Sequence, residues 1–211
     1  DFQDKSFTTA EFCNLLGKRS KATSKHPEKS FVVSAYEYDV PIYISTIKDS
    51  SLALNLAVHR LENKKYDLDF VREIIEQAAI VYDSKKSAIL ELGGGVPKNT
   101  AQQTGPLLDQ ILRRNDGGQN YIVQITDARP DTGGLSGATL QEGKSWGKIQ
   151  DSHEGIVTVY ADTTIAFPIL ALYVLSNQQS REPKRLYKKI GELYNKLSKD
   201  YFKNPNNIKK E

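Results

Sequence analysis

Between residues 88 and 160, short apolar runs alternate with stretches of helical character, and this constrains the fold more than any other feature of the chain. Ala88-Ile89-Leu90-Glu91-Leu92 has the length and composition of a strand, and Gly93-Gly94-Gly95 follows it directly. A helix is predicted from about Thr100 to Arg114, then a buried strand at Tyr121-Ile122-Val123-Gln124-Ile125 and another at Val157-Thr158-Val159-Tyr160. Strands separated by crossovers of this length pair in parallel, because a hairpin connection needs only a few residues. The reading is an α/β fold with a largely parallel sheet and helices on both faces, taken as a single domain over residues 1–211.

In such sheets ligands gather outside the carboxyl ends of the strands. Four polar or glycine groups fall there: Asp49 after a strand predicted at 41–46, Gly93–Gly95, Asp127-Ala128, and Asp162-Thr163. The glycine run lets backbone N–H groups approach a phosphate or a ring. It lacks the Gly-Lys-Ser/Thr ending of a phosphate-binding loop and does not match G-x-G-x-x-G, so by itself it also reads as a tight strand-to-helix turn. Asp49 and Asp162 are candidates for ribose hydroxyls and equally for helix N-caps.

Residues 129–148 form the second concentration of chemistry. A glycine-rich turn that includes Gly133 and Gly134 runs through Glu142 into Trp146, the chain's one tryptophan, and ends at Lys148. Most lysines are solvated surface charges. An amine held beside an indole and away from water, however, favours its neutral form, which alone attacks a carbonyl or imine carbon. Glu142 is placed to hold a cationic substrate, Trp146 to offer the same cation its ring face, and Gly133-Gly134 to give close backbone approach.

Elsewhere, Thr8-Thr9-Ala10-Glu11 offers a capping box for a short helix ending at Gly17, followed by an exposed basic loop over 18–30 in which His26 faces solvent. Residues 31–38 are ambiguous between helix and strand, and Pro41–Thr46 reads as a strand. Helices are predicted from Leu52, over 67–83 with Phe70, Val71, Ile74, Ile75, Ala78, Ala79 and Tyr82 on the buried face, and over 165–175 and 183–201, before a polar tail at 203–211.

The 38% hydrophobic and 26% charged fractions are those of an ordinary globular protein, and a net charge of +3 is too small to argue for nucleic acid, so no nucleic-acid partner is expected. Cys13, the single cysteine, sits among Phe12, Leu15 and Leu16 and reads as a packed thiol in a reducing compartment, the cytoplasm. No run approaches the roughly 20 apolar residues of a membrane helix, so no membrane partner is expected. No metal site is read from the sequence. The chain has no methionine and begins Asp-Phe-Gln, which is read as a fragment, a processed piece, or a sequence written without modified residues.

Gly-Gly-Gly-Val-Pro-Lys at 93–98, Ser-Gly-Ala at 136–138, Ser-Trp-Gly-Lys-Ile at 145–149 and Val-Tyr-Ala-Asp followed by Phe-Pro at 159–168 together resemble deoxyhypusine synthase. The resemblance extends from about Phe7 to Leu175, the C-terminal part of a deoxyhypusine synthase-like chain, without the N-terminal half that supplies much of the dinucleotide site. It implies a Rossmann-like NAD-binding fold and a tetramer with active sites between paired subunits. It further implies use of NAD to oxidise spermidine and transfer of its aminobutyl group, through a lysine imine, to an acceptor amine. That acceptor is a lysine of translation factor 5A, or putrescine in the homospermidine synthases of the same lineage. By resemblance the imine-forming lysine falls on Lys148, the substrate carboxylate on Glu142 and the stacking indole on Trp146. The cofactor contacts fall on Asp49, Gly94, Asp127, Ala128, Asp162 and Thr163.

Three positions depart from the family pattern. Asn99 stands where the family has a histidine that assists proton transfer, and Leu54 and Leu135 stand where it has carboxylates for the amine substrate. An asparagine orients a substrate but does not shuttle a proton near neutral pH. The pattern therefore points to a divergent branch, with a small-amine acceptor such as putrescine or agmatine, or a non-catalytic paralogue that binds NAD or a polyamine, as the alternatives.

Overall fold

The computed structural model describes residues 5–114, 118–150 and 155–203. Where the sequence reading takes 1–211 as a single domain, these residues cluster into two compact units, 1–80 with 183–211, and 81–182.

In the first unit, β1 (Ser6–Phe7) pairs in parallel with β2 (Asp67–Leu68). Helix α1 (Thr9–Thr23) starts at the predicted capping box: Thr8 Oγ1 accepts from Glu11 N at 3.2 Å, and Glu11 Oε2 accepts from Thr8 N at 2.9 Å. Contrary to the sequence reading, α1 does not stop at Gly17, and residues 18–23 are helix rather than loop. Gly17 is where α2 (Phe31–Glu37) crosses: a Cβ there would lie 2.6 Å from Val32 O and 2.7 Å from Tyr36 Cβ. The glycine serves helix packing, not helix termination. The ambiguous segment after residue 30 is thus a helix, capped by Ser30 accepting from Val33 N.

The strand predicted at 41–46 is absent, so Asp49 does not follow a strand end. The backbone there finds side-chain partners instead, with Ile44 N donating to Thr9 Oγ1 at 2.9 Å, while Tyr43 OH donates to Glu76 Oε2 at 3.0 Å. Helix α3 (Ser51–Leu61) is capped by Ser50. Helix α4 (Phe70–Tyr82) lies where predicted, but its expected buried face is corrected. Ala78 and Ala79 are buried, whereas Phe70, Val71 and Ile74 are exposed, and Glu73 and Glu76 point inward. The inward carboxylates accept from Thr9 N and Tyr43 OH, and Arg72 Nε lies 3.2 Å from Glu76 Oε1. Burial pushes both carboxyls above the ordinary glutamate range.

The second unit is built on parallel strands in the order β3 (Ala88–Leu92), β4 (Tyr121–Thr126), β5 (Ile156–Tyr160). The registers Leu92↔Ile125 and Ile125↔Val159 align their carboxyl ends. The predicted helix after the glycine run begins earlier and is broken. It comprises α5 (Val96–Gln102), the single turn α6 (Thr104–Pro106) and a π-type turn at Leu107–Ile111. Gly105-Pro106 interrupts it, and a Cβ on Gly105 would meet Gly147 O at 2.7 Å. Helix α7 (Leu140–Ser145) is capped by Thr139. The core on this side of the sheet is Ile122, Leu140 and Ile149, with Ile156 against it.

Helix α8 (Thr163–Asn177) follows β5, contains Pro168 and buries none of its residues. The chain then returns to the first unit with α9 (Leu186–Lys203), whose Leu193 and Leu197 are buried. There Asp39 receives Arg185 Nη1 at 2.8 Å and Lys188 Nζ at 3.0 Å. The predicted tail beyond Lys203 lies outside the described residues. Among the described residues no helix is long and apolar enough to cross a membrane, and no group of three or more His, Cys, Asp or Glu is placed to hold a metal ion.

Candidate active site

Lys148 is held beside the residues that lead into β4. Gln119, just before β4, donates its N–H to Lys148 O at 2.9 Å, and Gln150 N donates back to Gln119 O at 3.1 Å, an isolated parallel bridge at Gln119↔Ile149 outside the three strands. Lys148 N donates to Gly143 O, which closes α7 behind it. Gly147 has φ +68°, a left-handed conformation that turns the chain between Trp146 and Lys148, and Gln110 Nε2 secures that turn by donating to Trp146 O at 3.0 Å. The half-buried Lys148 side chain then reaches α5, where its Nζ donates to Asn99 Oδ1 at 2.5 Å. The same nitrogen lies 5.8 Å from the centroid of the Trp146 ring, within cation–π range.

The structure therefore brings Lys148, Asn99 and Trp146 together. Glu142 occupies the first turn of α7 and is exposed, and its charge acts on Lys98 beside Asn99. Trp146 is 65% exposed, so within this chain the indole does not shut water away from the amine as the sequence reading expects. Gly133 caps a short turn at φ +70°, and neither it nor Gly134 has any atom within 4 Å of a built Cβ.

Three candidate cofactor groups cluster at the carboxyl ends of the strands. Gly93 and Gly94 leave β3 at φ +60° and +69°, with Gly93 N donating to Ile125 O at 2.8 Å and open space beside Gly94. Asp127 and Ala128 follow β4, the latter's N–H donating to Thr126 Oγ1. Asp162 follows β5 as the N-cap of α8, its Oδ1 accepting from Thr164 N at 2.7 Å and Thr164 Oγ1 at 2.6 Å. Those bonds hold its carboxyl below the ordinary aspartate range. Thr163 Oγ1 lies 3.5 Å from Ile125 O. Asp49 belongs to the first unit and is exposed, with its N–H donating to Thr46 O.

Beneath these groups lies a buried polar network that the sequence reading misses. Glu91, Gln124 and Thr158 are register partners across the sheet and share one face. Gln102 on α5 donates to Glu91, and Thr158 Oγ1 donates to Gln124 Oε1 at 3.4 Å. Gln124 Nε2 reaches Ser136 O and Ala138 O at 3.4 Å, and Lys98 Nζ donates to Ala138 O at 3.1 Å. Glu91 and Lys98 are only 3% and 7% exposed. Burial raises the Glu91 carboxyl above its ordinary range and lowers the Lys98 ammonium below its own, where Glu91 and Glu142 oppose the shift and Lys148 adds to it. The available signal was a glutamate inside the apolar run of β3 facing a glutamine at the matching position of β4.

A family model for deoxyhypusine synthase matches residues 1–174. The chain belongs to the deoxyhypusine synthase family. A deoxyhypusine synthase-like protein of Nostoc sp. is 45% identical over 206 residues, covering 94% of this chain and 54% of that protein. A protein of the same description from Thermosynechococcus vestitus is 42% identical, covering 92% and 51%. A probable deoxyhypusine synthase 2 of Methanosarcina acetivorans is 40% identical, covering 78% and 47%. The chain thus spans about half the length of these deoxyhypusine synthase relatives.

Proposed function

We propose that this chain carries the lysine of an NAD-dependent aminobutyl transferase, with spermidine as donor. The observation that carries the reading is the Lys148 amine held between the Asn99 carboxamide and the Trp146 ring, in a chain of this family. NAD, when bound there, would supply the redox chemistry: it would take a hydride from the carbon beside the secondary amine of spermidine, leaving that carbon electrophilic as an imine, and would give the hydride back once the acceptor holds the aminobutyl group, so that the transfer carries no net oxidation. The residues that fit it are Gly94, whose backbone is open, with Asp127, Ala128, Asp162 and Thr163 at the neighbouring strand ends of what is then a Rossmann-like sheet.

Lys148 must shed its proton and attack as the free amine. Its nitrogen forms the new C–N bond, the three-carbon diamine leaves as the other bond breaks, and the aminobutyl group remains on Lys148 as an imine. Asn99 Oδ1 orients that nitrogen. Glu142 and Trp146 hold the cationic end of the substrate by charge and by the ring face. An acceptor amine then displaces Lys148: a lysine of translation factor 5A in the leading reading, or a small amine such as putrescine or agmatine. Leu54 and Leu135, where the family places carboxylates, favour the small-amine alternative.

The exposed apolar residues of α8 and the exposed Trp146 support a homo-oligomeric assembly, a tetramer in this reading, and the lone cysteine supports a cytoplasmic one. The test is borohydride trapping. Full-length protein incubated with NAD and spermidine should carry a reduced aminobutyl adduct on Lys148, and Lys148→Arg should carry none. No adduct with spermidine, putrescine or agmatine overturns the transfer mechanism. NAD binding without any adduct supports the second reading, a non-catalytic subunit, which Asn99 and Leu135 favour.

A further inference from the structure

Glu91 and Lys98 stand outside every role assigned above, yet both are ionisable and nearly inaccessible. A buried charge without a purpose is expensive, and a buried carboxylate oxygen without a partner more so. Among the described residues Glu91 Oε2 has no hydrogen-bond partner, while Oε1 accepts from Gln102. Lys98 sits one residue before Asn99 on α5, and its Nζ bonds Ala138 O, immediately ahead of Thr139, the N-cap of α7. Lys98 therefore ties the helix that carries Asn99 to the start of the helix that leads to Trp146 and Lys148. Gln124 fixes the same carbonyl from the sheet below.

We propose that Lys98 is a positioning residue for the reaction at Lys148, with Glu91 holding the same helix through Gln102, and that it acts by setting the contact between Asn99 Oδ1 and Lys148 Nζ. The proposal deepens the transferase reading and rests on it for its functional meaning. The geometry it concerns is measurable without turnover. Replacing the ammonium removes the tether to Ala138 O, lets α5 shift against α7, and frees the Lys148 amine from its acceptor. Replacing the Glu91 carboxylate weakens its charge-assisted bond to Gln102, one turn along α5 from Lys98, and loosens the same contact.

The experiment is acylation of Lys148 by acetic anhydride at fixed pH, followed by mass spectrometry of the Lys148 peptide, on full-length protein and its variants. Asn99→Ala should change the acylation rate on the order of tenfold, as expected for losing a charge-assisted hydrogen bond. Lys98→Met and Glu91→Gln should reproduce the direction of that change, Lys98→Arg should largely retain the wild-type rate, and Lys98→Met added to Asn99→Ala should add little. If Lys98→Met folds and leaves the rate unchanged, or multiplies with Asn99→Ala, the proposal is overturned. Should Lys98→Met fail to fold, Glu91→Gln decides by the same criterion. Borohydride trapping with spermidine is read separately. A missing adduct in the wild type defeats the transferase reading, while the acylation pattern still decides whether Lys98 sets the contact.

Discussion

Lys148 Nζ donates to Asn99 Oδ1 across 2.5 Å, joining the end of the Trp146 turn to the first turns of α5. A carboxamide oxygen orients an amine but takes no proton from it near neutral pH. In the transfer mechanism proposed above, the proton lost from Lys148 must therefore go elsewhere, to solvent or to the substrate's own amines.

Asn99→His should accordingly add a titrating group at the reacting amine. Adduct formation on Lys148, trapped across ~pH 5–9, should acquire an inflection near the ordinary histidine value of about 6.5 that the wild type lacks. Superimposable profiles would show that position 99 has no part in proton handling. Asn99→Ala should slow trapping on the order of tenfold to a hundredfold through lost orientation.

Asp162 separates two roles that the sequence leaves superimposed. Its Oδ1 caps α8, so Asp162→Ala should lower the thermal midpoint as well as any NAD affinity. Asp162→Asn retains a capping oxygen and should melt like the wild type. If the carboxylate also meets ribose hydroxyls, Asp162→Asn should still weaken NAD binding in a calorimetric titration. Unchanged affinity in that variant reduces Asp162 to a cap.

The parts of the fold legible in the sequence are those governed by local signals. The Thr8–Glu11 capping box and the three parallel strands fall where propensity and periodicity place them. What the sequence hides is decided between elements. Gly17 has the look of a helix end and is instead a crossing point, because the backbone it admits comes from residues 32–36. Pro41–Thr46 has strand composition but no strand to pair with, and its polar groups go to Thr9 and Glu76. The inward turn of Glu73 and Glu76 reverses a hydrophobic-face argument because these carboxylates meet the donors of Thr9 and Tyr43. At the site, Lys148 and Trp146 stand out as residues and Asn99 only through the family resemblance, whereas the Glu91–Gln124–Thr158 row becomes visible only through strand register.

The buried carboxylates predict a pH dependence with a definite sign. Glu73, Glu76 and Glu91 each have a carboxyl raised above the ordinary 4.5 by burial. Between the unfolded and folded values the folded state binds more protons, so their contribution is fully present below about pH 4.5 and is lost as pH rises through the folded values. Glu73→Gln and Glu76→Gln should flatten this part of the stability curve, measured as urea midpoints across ~pH 4–8. A wild-type curve whose decline over that range survives both substitutions and Glu91→Gln assigns it to other groups.

Two glycines test strain against contact. Gly94 and Gly118 both have left-handed backbone, at φ +69° and +72°, so alanine is strained at either by about 1–2 kcal/mol. Beside Gly94 a Cβ meets nothing within 4 Å, whereas at Gly118 it lies 2.6 Å from Ile149 N and 2.8 Å from Lys148 C. Gly118→Ala must therefore also push the Lys148 backbone away from Gln119, and its total cost in urea unfolding should reach about 2–4 kcal/mol. Gly94→Ala should lose only the strain energy, yet weaken NAD binding if the open space at the end of β3 is where the cofactor's backbone contact lies. Equal unfolding costs for the two variants would mean that the Gly118–Lys148 contact does not constrain the lysine.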